Sequence, residues 1–280
     1  MINACVQCGL AARLRPLDYR VKPGNDSTDI TDLGPIMRQW ITSIASIGIF
    51  FAVWRAVVIL TDQKPFILPG PDRVAEAMWK SRALIWEHTQ ITILEVLVGI
   101  ALGMILGVAA AILLAYSRRA RELMRPTLVF GQAIPIFILS PIFTLWFGFG
   151  YEPKILMAVL ITYFPVTSAY FDGLMNTPKG YLDLARVTGA SKWRIMLHIR
   201  MAAALPSLGS ALRLAAVFAP IGAVISEWIG AAKGLGYLML LANGRAKIDL
   251  MFGTAVVLAV VTVILFVAAD KVAKRLERVG

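Results

Sequence analysis

The chain has 280 residues, of which 58% are hydrophobic and only 16% are charged. This composition is too apolar for a soluble domain and predicts an all-α integral membrane protein. The net charge of +11 does not indicate a nucleic-acid partner, because most of the Lys and Arg residues fall on one side of the membrane in the topology predicted below. That asymmetry is the positive-inside pattern, so the basic residues orient the chain in the membrane lipid.

Six apolar stretches approach or reach the length needed to cross a bilayer. A hydrocarbon core about 30 Å thick needs roughly 20 apolar residues in a helix. The predicted spans are residues 41–60, 91–116, 128–147, 155–171, 207–229 and 250–269. The basic segments precede the first span and follow the second, fourth and sixth, so both termini are expected in the cytoplasm.

Residues 1–35 mix Arg, Asp, Pro and Gly without a period, which predicts a flexible cytoplasmic tail before a transmembrane domain over residues 36–280. The start lacks the charged segment and long apolar core of a cleaved signal peptide, and a later start at Met37 would leave every span intact. Cys5 and Cys8 form a C-x-x-C pair, but two thiols are too few for a closed zinc site. A reduced tail is expected.

Arg55 lies about one turn from the outer end of the first span. A long side chain at that depth can snorkel to lipid headgroups, and a role in a polar path across the membrane is the alternative. A proline-rich segment, PFILPGP, then breaks the chain. Residues 72–87 are predicted to form an amphipathic helix in the outer interface.

The second and third spans contain residues with strong effects on helix packing. Gly99, Gly103 and Gly107 recur every four residues and predict a face on which another helix approaches closely. Pro135 and Pro141 remove backbone donors from the third span and predict a bend. A broken helix can border a path or a hinge, and a packing kink is the equal alternative.

Two acidic residues, Glu95 and Glu227, lie about one turn inside the second and fifth spans from the outer face. Charged groups at such depth face protein or water rather than lipid. Both are therefore candidate path or gate residues, with a structural hydrogen-bonding role as the alternative. Pro220, in the middle of the fifth span, is a further candidate beside Pro135 and Pro141.

Residues 176–206, between the fourth and fifth spans, are predicted to form two short amphipathic helices that meet at a glycine; we call this segment the hinged loop. Thr177 can cap the first helix, on which Leu182 and Ala185 share a face. Gly189 suits the left-handed position that ends that helix.

The second helix of the hinged loop is predicted to begin after Ser191, whose side chain can cap it. Trp193, Met196 and Leu197 are expected on one side of it. A hinged pair of this kind is suited to insertion into a partner protein.

The hinged loop resembles the EAA signature of type I ABC importer permeases, in which an acid, an alanine and a glycine six residues after the acid precede hydrophobic and proline positions. Leu184 replaces the second alanine of that signature, and Ala202 replaces the first proline of its closing segment, of which Pro206 remains. The resemblance covers roughly residues 85–270. The residues that match are Asp183, Ala185, Gly189, Ala190 and Ser191.

Two further stretches, PFILPGPDRV and ISEWIGAAKGLGYLM, resemble the permease branch that handles nitrate, sulfonates, taurine and thiamine-precursor pyrimidines. The resemblance implies a multi-pass protein of the bacterial inner membrane with six transmembrane helices in the type I ABC importer permease fold. It also implies alternating access between two permease copies, expected to be a homodimer, fed by an extracytoplasmic substrate-binding protein.

The resemblance further implies two separate ATPase subunits, which would bind ATP and Mg and push on the hinged loop; no cofactor is expected in this chain. The sequence contains no G-x-x-x-x-G-K-[ST] loop, no H-E-x-x-H pair and no serine elbow, so no enzyme is predicted. The residues implied to couple to the ATPase are Asp183, Leu184, Ala185, Gly189, Ala190, Ser191 and Trp193.

Glu95 stands where anion-handling members of the branch often carry an arginine. An acid at the mouth disfavours oxyanions and suits a neutral or weakly basic heterocycle, which favours a thiamine-precursor pyrimidine of the hydroxymethylpyrimidine type. Nitrate, sulfonate or taurine is the alternative. An ion-coupled secondary transporter, for which no internal repeat is visible, and a membrane scaffold are the competing classes.

Overall fold

The computed structural model describes residues 33–61, 64 and 66–279, and every regular element within them is a helix. A π-helical turn, Ile195–Arg200, joins α8 to α9. The helices are α1 (Leu33–Thr61), α2 (Pro71–Lys80), α3 (Arg82–Tyr116), α4 (Arg118–Ala133), α5 (Ile136–Phe147), α6 (Glu152–Met175), α7 (Lys179–Val187), α8 (Lys192–Arg194), α9 (Met201–Ala203), α10 (Leu205–Gly230), α11 (Leu235–Gly244) and α12 (Ile248–Val279).

The chain divides into two units, residues 1–51 and 52–280. The described part of the first unit is helical and belongs to α1. Cys5, Cys8 and nearly all of the predicted tail lie outside the described residues, so the predicted boundary near residue 35 stays a prediction. The remaining helices belong to the second unit.

The glycines of α3 pack closely against α6, as their spacing predicts. Three residues of α6 with the same four-residue spacing face them in order. A Cβ atom added to Gly107 would lie 2.6 Å from a methyl group of Val166, closer than real contacts allow. The backbones can approach this closely only because the glycines have no side chain. The facing pairs are Gly99 with Ala158, Gly103 with Thr162, and Gly107 with Val166.

Helix α10 packs against α6 and α12 through small side chains. Ala219 and Ala223 of α10 form a buried cluster with Val96 of α3. Ala211 and Ala215 form another with Val166 of α6. Many large apolar side chains on α3, α5 and α12 are exposed instead, as expected where helices meet lipid or another subunit.

Four helices of the described residues are long and apolar enough to cross a membrane: α3, α6, α10 and α12. They correspond to the predicted second, fourth, fifth and sixth spans. The predicted third span is broken, because α4 and α5 meet at a bend of more than 40° and together would supply a fifth span. In the region of the predicted first span, the described apolar helix Gly48–Thr61 is shorter, so the count of six stays a prediction.

The bend of the third span occurs at Pro135, which has an extended backbone (φ −60°, ψ 110°) immediately before α5. Pro141 lies inside α5. The extended backbone at Ile134 and Pro135 ends α4, because extended residues cannot continue the helical hydrogen-bond ladder. The break predicted from two prolines is therefore made at the first of them.

The segment between α1 and α3 differs from its prediction in two respects. The predicted amphipathic helix over residues 72–87 is interrupted at Ser81, where α2 ends and α3 begins. Arg55 forms an ion pair with Asp72, the second residue of α2. The indole N–H of Trp54 donates to the Pro69 carbonyl oxygen at 3.2 Å, so this part of α1 holds the proline-rich segment in place.

Candidate functional site

The turn at the centre of the hinged loop has the geometry predicted for it. Gly189 adopts φ +75°, a left-handed conformation that costs a residue with a side chain about 1–2 kcal/mol. The Ala190 N–H donates to the Ala185 carbonyl oxygen at 2.9 Å, and the Gly189 N–H donates to that of Arg186 at 3.0 Å. These two bonds form a Schellman motif, which satisfies carbonyl groups at the end of α7.

The two helix starts of the hinged loop differ. The Ser191 hydroxyl accepts a hydrogen bond from the Arg194 N–H at 3.3 Å, so the predicted cap of the second helix is confirmed. The predicted cap at Thr177 is wrong. Pro178 precedes α7 without a side-chain cap, and the Thr177 hydroxyl instead donates to the Leu174 carbonyl oxygen at the end of α6, at 3.1 Å.

Helix α7 has one buried and one exposed face. Leu182 and Ala185 are buried, as their spacing predicts. Three apolar residues, Tyr181, Leu184 and Val187, are exposed, and Val187 is exposed by 87%. Exposed apolar side chains grouped on one helix face mark an interaction surface.

Acidic and basic groups flank the exposed face of α7. Asp183 forms an exposed ion pair with Arg186 at 2.8 Å. Exposed pairs of this kind add little stability, so a partner can break them at little cost. Because the Asp183 side chain is also exposed, it is accessible to a partner.

The second helix of the hinged loop attaches the loop to the helix bundle. Met196 is buried in a cluster with Tyr170 and Leu174 of α6. Trp193 packs edge-on against Tyr116, with ring centroids 5.6 Å apart, and remains half exposed. Of the three residues predicted on one side, only Met196 is buried, whereas Trp193 and Leu197 are exposed. A π-helical turn, which has a different spacing of side chains, begins at Ile195.

At the opposite end of the bundle, five buried polar residues form what we call the polar cluster: His88, Thr92, Glu95, Lys154 and Glu227. They come from α3, α6 and α10. Glu227 Oε1 accepts from the Thr92 hydroxyl at 2.7 Å. Its Oε2 accepts from the Gly236 N–H at 2.5 Å. The carboxyl group of Glu227 thus ties α10 to α3 and to the start of α11.

The short connection between α10 and α11 is held by two further bonds from the polar cluster. The Leu235 N–H donates to the Thr92 hydroxyl at 2.8 Å. The Gly234 N–H donates to Nδ1 of His88 at 2.9 Å. On the exposed side, Lys233 pairs with Glu87 at 2.8 Å, and this pair raises the pKa of Lys233.

Glu95 forms a buried ion pair within the polar cluster. Its Oε1 accepts from Nζ of Lys154 at 3.0 Å, and the Lys154 ammonium also lies 3.4 Å from the Lys233 carbonyl oxygen. Glu95 Oε2 has no hydrogen-bond partner. The polar cluster therefore contains two carboxyl groups and one ammonium group, all buried.

The structure brings Glu95 and Glu227 into one cluster and places the candidate prolines elsewhere. Pro220 is buried inside α10, and Pro135 and Pro141 belong to the α4 and α5 region. Nothing in the described residues forms a group of His, Cys, Asp and Glu able to hold a metal. The polar cluster joins the ends of three helices, because Thr92 of α3 binds Glu227 of α10 and Glu95 of α3 pairs with Lys154 of α6.

Sequence reasoning missed His88, Thr92 and Lys154. The spacing along α3 could have indicated the first two. One face of that helix carries, at intervals of four, three and four residues, His88, Thr92, Glu95 and Gly99. Lys154 carried no such signal. In sequence it is a basic residue just before a span, which is usually a surface residue.

Comparison with known proteins gives the class to which this all-helical chain belongs. Residues 99–278 match the family described as binding-protein-dependent transport system inner membrane component, and the chain belongs to that family. It is 44% identical over 224 residues to a probable ABC transporter permease protein of Haemophilus influenzae, covering 80% of this chain and 91% of the relative.

Other relatives extend the comparison. The formylaminopyrimidine transport permease protein ThiX of Halalkalibacterium halodurans is 35% identical over 186 residues, covering 66% of this chain and 74% of the relative. A chain of the MetNI methionine ABC transporter, in an inward-facing conformation, superposes with a TM-score of 0.63 at 18% identity, covering 70% of this chain and 98% of that chain. The predicted fold class is confirmed, and the chain is an inner-membrane permease of an ABC importer.

Proposed function

We propose that this permease carries the substrate path of an importer whose ATP is bound and hydrolysed on two separate ATPase subunits, each docked on one hinged loop. The exposed apolar face of α7, with Asp183 beside it, is the observation that carries this proposal. The sequence has no phosphate-binding loop of its own. Two copies of this chain would enclose the path, and an extracytoplasmic binding protein would deliver the substrate.

The arrangement of the hinged loop supports a mechanical role. The loop connects α6 directly to α10, and these helices pack against each other. Because Met196, in the second helix of the hinged loop, is buried against Tyr170 and Leu174 of α6, we expect a push on the loop to reach the end of α6. Movement of α6 against α3 and α10 would then open or close the path at the opposite end, where the polar cluster holds all three helices.

The proposed substrate is a thiamine-precursor pyrimidine. The support is the 35% identity to the formylaminopyrimidine permease, compared with 29% to a sulfonate permease of Bacillus subtilis and 24% to the taurine permease of Escherichia coli. Sulfonates and taurine are the second candidates. The charge of Glu95 adds no independent support, because Glu95 is buried against Lys154.

The test is to reconstitute this chain in lipid with its candidate ATPase and binding protein and to measure ATP hydrolysis. Hydroxymethylpyrimidine, formylaminopyrimidine, taurine and an alkylsulfonate are added one at a time. Stimulation by a pyrimidine alone is expected. Stimulation by taurine or the sulfonate would change the substrate but keep the class, whereas a folded chain that associates with no ATPase would overturn the proposed coupling.

A further inference from the structure

A basic cavity of about 310 Å³ lies between the hinged loop and the end of α3. A water molecule takes up about 30 Å³ of liquid, so the cavity has room for a phosphate-sized group and several waters. Its walls combine three cations with apolar side chains. Its lining includes Tyr116, Leu182, Arg186, Lys192, Met196 and Arg200.

The cations of this cavity have few anionic partners. Arg186 pairs with Asp183. Among the described residues, no Asp or Glu lies within 4.0 Å of the Lys192 ammonium or the Arg200 guanidinium group. The side-chain contact recorded for Arg200 is Nη1 to Met175 Sδ at 3.6 Å, and a thioether sulfur is only a weak acceptor.

Neighbouring arginines make the environment of Arg200 more positive. Burial, together with Arg121 and Arg186, lowers the pKa of Arg200. The Arg121 guanidinium does not line the cavity, and it donates to the neutral carbonyl oxygens of Leu114 at 3.1 Å and Ala115 at 3.2 Å, which do not offset its charge. The cavity therefore lies in a region of net positive charge.

We propose that this cavity binds a phosphate group, supplied either by a phospholipid headgroup or by free phosphate. A guanidinium fork matches phosphate oxygens in pairs, and an ammonium adds a point charge. The apolar walls at Tyr116, Leu182 and Met196 suit the glycerol and upper acyl part of a lipid, and basic pockets beside helix ends bind anionic headgroups. The lipid source also rests on the proposed cytoplasmic placement of the hinged loop.

An acidic residue of the proposed ATPase is a less suitable occupant. The cavity opens between the end of α3 and the buried side of α7, where Leu182 lies. The apolar face proposed to dock the ATPase carries Tyr181, Leu184 and Val187 instead, and none of these three lines the cavity, although Ala190, which is implied to couple to the ATPase, does. Phosphate binding is therefore measured on the chain without the ATPase, and ATPase association is measured separately.

The test uses the full-length chain in a maltoside detergent, which contains no phosphate. Inorganic phosphate binding is measured by calorimetry, and retention of added phosphatidylglycerol is measured by native mass spectrometry. Arg200→Gln is expected to weaken binding by about tenfold or more, since it removes a charge-assisted pair. Arg194→Gln is the matched control, because Arg194 is exposed on the same loop and does not line the cavity.

Each outcome has a defined meaning. Phosphate binding without lipid supports the free anion as the source, and retention of phosphatidylglycerol without phosphate binding supports the headgroup. Binding of neither probe, or equal loss in Arg194→Gln, would overturn the proposal. So would an Arg200→Gln chain that keeps phosphate binding but no longer associates with the ATPase. If Arg200→Gln does not fold, Lys192→Gln, at an exposed position, takes its place in the same comparison.

Discussion

Thr92 of α3 donates a hydrogen bond to Glu227 of α10 at 2.7 Å, and both side chains are fully buried. The same hydroxyl group accepts from the Leu235 N–H at 2.8 Å. One hydroxyl thus joins two spanning helices and the start of α11. The polar cluster joins helix ends on the side of the bundle opposite the hinged loop, so substitutions there measure how much these bonds stabilise the chain.

Replacing Thr92 with Val should destabilise the chain by about 2–4 kcal/mol, because it leaves a buried carboxyl oxygen and a buried N–H without partners. Thr254→Val is the matched control. Thr254 is equally buried, but its hydroxyl donates only to the Leu250 carbonyl oxygen within α12, so a change within about 1 kcal/mol is expected. Thermal unfolding in detergent measures both. Equal losses would contradict a special role for Thr92.

The polar cluster illustrates what the sequence could and could not predict. Glu95 and Glu227 were identifiable because acidic residues inside apolar spans are rare and need partners. The partner of Glu95 was not, because Lys154 follows Glu95 by 59 positions and only the packing of α3 on α6 brings them together. Local patterns report on one helix, whereas buried ion pairs depend on how two helices are aligned.

The difference between local patterns and contacts between helices also explains which other features of the fold were predicted. The glycine spacing in α3 and the turn at Gly189 were predicted correctly, because both depend on local backbone geometry. The uncapped start of α7 was not, since the Thr177 hydroxyl donates to the end of α6 instead. The π-helical turn at Ile195–Arg200 was not predicted either, because no local residue pattern signals it.

Replacing Lys154 with Met should destabilise the chain by about 3–5 kcal/mol, because removal of one partner of a buried ion pair leaves the other charge uncompensated. The double variant Lys154→Met with Glu95→Gln should recover much of that loss. A double-mutant cycle of chemical unfolding measures the coupling. Additive effects of the two substitutions would show that the 3.0 Å pair contributes nothing specific.

Replacing Gly103 with Ala should destabilise the contact between α3 and α6 by about 1–3 kcal/mol, the usual cost of overpacking. The added Cβ would overlap the hydroxyl group of Thr162. Thr162→Ala in the same chain should relieve part of the loss. Gly48→Ala is the control in another apolar helix, where an added Cβ meets nothing within 4 Å. Thermal unfolding compares the unsubstituted chain, the two single variants and the double variant. A Gly103→Ala effect no larger than that of Gly48→Ala would exclude close packing at this position.

The last prediction concerns Gly189, whose φ of +75° is strained for a residue with a side chain although an added Cβ would meet nothing within 4 Å. Gly189→Val should therefore act through the backbone alone and lower the stability of the turn by about 1–3 kcal/mol. The variant should either uncouple ATP hydrolysis from uptake or impair assembly with the ATPase. Gly189→Asn should be tolerated better, because Asn enters the left-handed region more readily. Gly180→Val, on the same loop with equal free space, is the control for bulk. ATPase and uptake assays of the reconstituted complex compare the three, and full coupled transport by Gly189→Val would refute the role of the hinged loop.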